Sequence, residues 1–377
     1  MSVTHLWSKQ AAMKTQLILF SLLLTSGSSF ASQLGQKDLV GFPNTLGQRH
    51  FFTFVSKSTL KTKQISANLE SAETNCRDNI KQVICLVEPV NEGEDFENRK
   101  CLEGGDSYAP HFEKIYDNYP PLLQKMFCSL KHLYIEKIFF GTAYAGTTKD
   151  QDGNPNGAVM GIRQSVLDEQ LSLQTWTSWK EQLSFGGIKD AYTITPHLPQ
   201  ITASTPVQVN DLLYFILAHE FGHMFDFANS VNQFDDCSTP VSDDEEPLCD
   251  VDDSSWSGFS WATNLTPKAD SDFALRAGLC FYGCTAENKL SVADVPLVYE
   301  ALSKTNFIST YAATNPYDDF AESLAYYVID QKLNSSYVLD TKQNQTYDSM
   351  MKLKDPIFKS KYEYIDNFLN KPDIKYP

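Results

Sequence analysis

The chain has 377 residues, 42% of them apolar, which is enough for a large core and excludes a largely disordered chain. A formal net charge of −16 makes nucleic acid an unsuitable partner, because the phosphate backbone would be repelled rather than held. The eight cysteines all lie beyond residue 75, an even number that suits an oxidising compartment.

At the N-terminus, Met13 and Lys14 precede the apolar run "LILFSLLL" and the small-residue stretch "TSGSSFA". This pattern predicts a signal peptide over residues 1–31, cleaved after Ala31, and hence a secreted or periplasmic protein. The run is too short to span a bilayer comfortably, and no later stretch approaches the roughly 18 apolar residues that a span needs, so no membrane association is expected after cleavage. Residues 32–118 mix short runs such as "HFFTFV" and "KQVICLV" with polar stretches, which reads as a small disulfide-tied accessory or pro-region. Cys76, Cys85, Cys101 and Cys128 form one group, and Cys237, Cys249, Cys280 and Cys284 a second, so pairing within each group is the simplest expectation.

A main domain is expected over 119–377. Two prolines open the stretch "PPLLQKMFCSLKHLY", whose apolar positions recur at helical spacing, so a helix is predicted over 120–134. "IEKIFF", the turn-rich "GTTKDQDGNPNG" and then residues 158–167 read as two strands joined by a loop. The segment "NDLLYFILAHEFGHMFDFAN" (210–229) starts with the capping residues Asn210 and Asp211 and is apolar on almost every face, so it predicts a buried helix. Residues 235–253 are densely acidic but lack the spacing of an EF-hand loop, so they read as a solvated loop closed by a disulfide, with calcium binding the less favoured use. Candidate N-glycosylation sequons stand at Asn264, Asn334 and Asn344.

Polar groups in a buried helix need partners, which singles out His219, Glu220 and His223 in "AHEFGH". Spacing i, i+4 stacks both imidazoles on one face, where two ring nitrogens can reach one ion, while Glu220 sits on the adjacent face. Two histidines need a third protein ligand to hold a catalytic zinc. No histidine follows His223, and Asp226 and Asn229 stand where a metzincin would carry its glycine and third histidine. His197, in "TPHLP", reads as a surface residue. A downstream carboxylate remains. In "YAATNPYDDFAESLAYYV" (311–328), Asn315 and Pro316 begin a helix on which Asp318 and Glu322 share a face. One of the two can coordinate zinc while the other hydrogen-bonds the free ring nitrogen of a ligating histidine.

HEFGH followed by Y-x-x-T-N-x-x-acid-x-F-A-E resembles the zinc protease domain of anthrax lethal factor and its relatives, within the gluzincin metallopeptidases. The likeness covers residues 211–228 and 311–328, with a looser one in the tail "DPIFKSKYEYIDNFLN". It implies zinc ligation by His219, His223 and Asp318, Glu220 as catalytic base, Tyr311 as a residue assisting catalysis and Glu322 as the acid supporting a ligand. The family carries glutamate where this chain has Asp318, so Glu322 stays open as the third ligand. The segment between the two motifs, about 232–300, reads as a Cys-containing acidic insertion that could wall the cleft.

The expectation is therefore an α+β, zincin-like domain with its active-site helix beside a small sheet. In zinc peptidases an extended substrate can add to an edge strand along the metal. The second strand, 158–167, would serve that role unless it is an ordinary core strand. The expected activity is hydrolysis of a peptide or protein substrate by a secreted zinc-dependent metallopeptidase. The competing reading is an inactive exported zinc-binding factor that acts by binding another protein.

Overall fold

The computed structural model describes residues 76–89, 99–139, 141–149, 155–168, 171–186, 211–238, 247–282, 290–333, 337–340 and 346–377. The expected leader and His197 lie outside them. The described part opens with helix α1 (Cys76–Val83), strand β1 (Ile84–Val87) and helices α2 (Ala109–Asn118) and α3 (Pro121–Ser129). Strands β2 (Leu130–Glu136), β3 (Ala143–Lys149) and β4 (Pro155–Arg163) follow, then helices α4 (Leu173–Gln182) and α5 (Asp211–Asn229). After the intervening segment come α6 (Val295–Ser303), α7 (Pro316–Leu333) and α8 (Lys359–Leu369). The fold is mixed α+β, with helices around a small four-stranded sheet, three two-stranded ribbons elsewhere among the described residues, and disulfides tying its N-terminal part. Among the described residues no helix is long and apolar enough to cross a membrane.

The sheet runs β1-β2-β4-β3, with β1, β2 and β4 parallel and β3 antiparallel to β4. Its faces alternate as the pleat requires. Leu133, Ile135, Met160 and Ile162 enter the main core, whereas Cys85, Val87, Tyr134, Tyr144 and Val159 form a smaller cluster on the other side.

Three expectations change here. The helix predicted to residue 134 ends at Ser129, and 130–136 is a strand. Leu130 and Leu133 suit a helical stripe or a strand equally. Parallel partners on both sides satisfy the backbone here, and the two core clusters cover the two faces, Leu133 and Ile135 on one and Tyr134 on the other. The loop expected over 146–157 gives way at its start to β3 and at its end to β4. The strand expected over 158–167 spans 155–163 and lies inside the sheet, so among the described residues the edge position along α5 belongs to β3.

Residues of the N-terminal region share this core: β1 pairs with β2, and Ile80, Ala109, Phe112 and Ile115 pack in the same cluster as α5. The division expected near residue 118 runs through that cluster. Disulfides Cys76–Cys128 and Cys85–Cys101 pair the first cysteine group internally. Cys237–Cys249 closes the acidic stretch, and Cys280 is bonded to a partner outside the described residues.

Much of the insertion is a buttress rather than a cover. Trp256 and Trp261 are fully buried, the first against Phe320 of α7 and the second donating from Nε1 to Asp319 at 3.1 Å. Lys361 of α8 holds the same Asp319 carboxylate at 2.6 and 2.7 Å, so the start of α7 is fixed from behind. Asn264 is also spent internally. Its side chain accepts from the Cys249 amide and donates to the Pro247 carbonyl, both at 2.9 Å, which leaves that sequon unsuited to a glycan.

Candidate metal centre

Helix α5 is buried because its sequence leaves no polar face: Leu212, Leu213, Phe215, Leu217, Phe221, Met224 and Phe225 are all at most 1% exposed. Burying each such side chain contributes about 1.5–3 kcal/mol, which holds the helix through the middle of the domain. Helix α7 crosses it. At the crossing, a Cβ on Gly222 would come within 2.7 Å of the Ala321 Cα, so a side chain here would push the two backbones apart. That contact sits beside His223 on one helix and Glu322 on the other. Gly222→Ala is therefore expected to lower stability by about 1–2 kcal/mol, since overpacking of about 1–3 kcal/mol outweighs a helix-propensity gain of up to about 1 kcal/mol. Urea unfolding would measure it, and a stabilised variant would refute the close-contact argument.

The expected start of α7 is observed. The Asn315 side chain accepts from the Asp318 amide at 2.9 Å and donates to Asp318 Oδ2 at 2.5 Å, so one residue caps the helix and fixes a carboxylate. Asp318 Oδ1 then lies 3.5 Å from His219 Nε2 and 3.4 Å from His223 Nε2, and the two nitrogens are 3.1 Å apart. Glu322, a turn later, stands behind the first histidine: its Oε1 is 3.3 Å from His219 Nδ1 and its Oε2 accepts from Ser309 at 2.8 Å. Both its oxygens are thus engaged away from the Nε2 pair.

A tetrahedral ion with bonds of about 2.0–2.1 Å has ligand-to-ligand edges of about 3.3–3.4 Å, and the His219, His223, Asp318 triangle matches those edges. Two buried atoms at the site, His219 Nδ1 and Glu220 Oε2, lack an aligned hydrogen-bond partner. Two ring nitrogens and a carboxylate oxygen converging on one point are the donor set that a cation takes, so the residues fit one. Among the described residues this is the group of three or more His, Cys, Asp or Glu side chains that could hold a metal ion, and the described part of the acidic insertion supplies none; residues 239–246 lie outside them.

The charges follow the geometry. Burial opposes an imidazolium at His219, but Asp318 and Glu322 outweigh it and push the ring up to about 9. Burial likewise opposes ionisation of Glu322, yet Lys180 and His219 bring it down to about 2. Asp318 is held well below the usual carboxylate range, its burial overcome by the two histidines. Glu220 is moved up by burial.

A cavity of about 100 Å³ opens onto the cluster, lined among others by Ala143 and Ala145 of β3, Trp176, Tyr282, Glu220 and Tyr311. The Tyr311 ring lies 6.0 Å from that of His219. Phe281 and Tyr282, from the end of the insertion, pack on Tyr311 at 4.9 and 6.1 Å, so this end does wall the cavity. Sequence reasoning singled out neither of them, nor Lys180 of α4, whose Nζ is 3.0 Å from Glu322 Oε1. The stretch "LQTWTSWKEQ" shows a helical lysine and gives no sign that it is buried.

Comparison with family models, with curated proteins and with solved structures finds no match for this chain.

Proposed function

We propose that this chain is a secreted zinc metallopeptidase with a zincin-like catalytic domain of the gluzincin kind. The observation that carries the reading is the convergence of His219 Nε2, His223 Nε2 and Asp318 Oδ1 within 4.8 Å of one another, beside the buried carboxylate of Glu220. His219, His223 and Asp318 would hold the ion, and Glu322 would orient His219 through Nδ1. Bound zinc supplies Lewis acidity, bringing the pKa of a water in its open position toward neutrality and polarising a carbonyl.

This chain's own groups do the rest. Glu220, placed next to the histidine pair, takes a proton from the attacking water and delivers it to the departing amine. Tyr311 donates a hydrogen bond to the oxyanion that forms at the scissile carbonyl. Strand β3, outermost of the described sheet and lining the cavity, offers backbone groups to an extended peptide.

The testing experiment is zinc titration of the metal-free protein by calorimetry, with peptide hydrolysis measured on the same samples. One zinc per chain and chelator-sensitive cleavage are expected. With His219 at about 9, binding at pH 7.5 must displace its proton. The sign follows: below about 9 the metal competes with a proton, so apparent affinity should rise about tenfold per pH unit from 7 toward 9 and then level off. Buffers of different ionisation enthalpy should report about one proton released at pH 7.5, against about 0.1 for a histidine with the ordinary pKa. Zinc bound without hydrolysis would overturn the peptidase in favour of an inactive binding factor. No zinc at all would remove the metal centre.

A further inference from the structure

In the lining of the cavity is a lysine that the proposed chemistry leaves unused. Lys180 is 3% exposed, and its Nζ is 3.0 Å from Glu322 Oε1. The ammonium also lies 4.2 Å from the centre of the Tyr311 ring and 4.9 Å from that of Trp176. Its neighbour Glu181 accepts from Thr310 and Tyr299, both at 2.6 Å. Two successive residues of α4 therefore grip adjoining parts of the site: Glu181 holds the backbone run that carries Tyr311, and Lys180 holds the Tyr311 ring together with Glu322.

An ammonium is costly to bury, and a well-packed apolar residue of similar volume often serves stability as well or better. Packing alone therefore gives no reason for a lysine here. The group it neutralises does. Glu322 is buried near Glu181, and its Oε1 is shared between Lys180 Nζ and the region of His219 Nδ1. Ser309 holds only the Oε2 end, so without the ammonium the Oε1 end would be free to turn away from Nδ1 and would serve poorly as its acceptor.

We propose that Lys180 is a positioning residue of the metal centre: it fixes the Glu322 carboxylate against His219 Nδ1, so that Nε2 is the nitrogen turned toward His223 and Asp318. The step that ties this to zinc rests on the function proposed above, while the chain from Lys180 through Glu322 to His219 does not. It also holds the Tyr311 ring against the cavity wall.

The test is a double-mutant cycle on zinc affinity, read by chelator competition in Lys180→Met, Glu322→Gln and the double variant. Lys180→Met is expected to weaken zinc about ten- to hundredfold, and to change it less than about threefold once Glu322 is glutamine. Lys180→Arg, which restores a cation, should recover at least part of the loss. Independent, multiplying losses, or unchanged affinity in Lys180→Met, would overturn the proposal. So would an equal loss in folded Lys180→Arg, which also decides the matter should the methionine variant fail to fold. If the wild type binds no zinc, the function proposed above fails, and this one is read instead from the nitrogen-15 signal of His219 Nδ1 in the metal-free protein. That signal should move in Lys180→Met and return toward its wild-type position in Lys180→Arg. An unmoved signal overturns the positioning role.

Discussion

Replacing Asp318 with alanine is expected to weaken zinc binding by at least about a thousandfold, equivalent to roughly 4 kcal/mol, and to remove hydrolysis with it. The reason is its unique place. Its Oδ1 is the carboxylate oxygen that sits against both Nε2 atoms, at 3.4 and 3.5 Å, whereas Glu322 stands on the Nδ1 side of one ring. The cap of α7 should survive, because Asn315 Oδ1 bonds the Asp318 backbone amide and not its side chain. Asp318→Asn refines the test by keeping the shape and the reach to Asn315 while removing the charge, and a loss nearly as large is expected. Glu322→Ala should cost less, about ten- to hundredfold, because it takes away an orienting partner and not a ligand. The measurement is zinc affinity by competition with a chelator of known strength. Were affinity to collapse in Glu322→Ala and persist in Asp318→Ala, the ligand would lie one turn further along α7 and the present assignment would be wrong.

The choice between those two acids shows where the sequence is readable. The spacing of Asp318 and Glu322 puts both on one face of a helix, and Asn315-Pro316 marks where that helix starts, which the structure reproduces. Spacing along one helix cannot say how far it lies from another. That distance is set by Gly222 against Ala321, a contact between residues 99 positions apart, and by Asp319 held from behind by Trp261 and Lys361. Asp318 and Asp319 look alike in the sequence. The 100° between successive helical side chains sends one to the histidines and the other into the buttress. The start of β2 is ambiguous in the sequence for a related reason: "LKHLY" carries apolar residues at positions that fit both periods, and only the flanking parallel strands decide. The buried lysine of α4 was illegible because its partner Glu322 lies 142 residues away.

Glu220→Gln is expected to separate binding from turnover: zinc affinity should stay within about threefold of wild type, while kcat falls by about a thousandfold. Glutamine keeps the size and the acceptor oxygen but cannot take a proton. Glu220 is 5% exposed, its Oε2 has no hydrogen-bond partner, and burial moves its pKa above the ordinary carboxylate value. An acid so placed is a stronger base than a solvated glutamate, and its Oε2 has no competing hydrogen bond to give up when it takes a proton. The sign of the pH dependence follows. The base must be ionised to work, so wild-type kcat/KM should fall as pH drops through the raised pKa of Glu220, and the residual activity of Glu220→Gln should lose that limb. A steady-state pH profile of both proteins, with zinc content measured on each sample, tests all three expectations together. Full turnover in a zinc-loaded Glu220→Gln would remove this residue from the chemistry. A variant that lost zinc in parallel with activity would mean that Glu220 holds the cluster together instead of acting on the water.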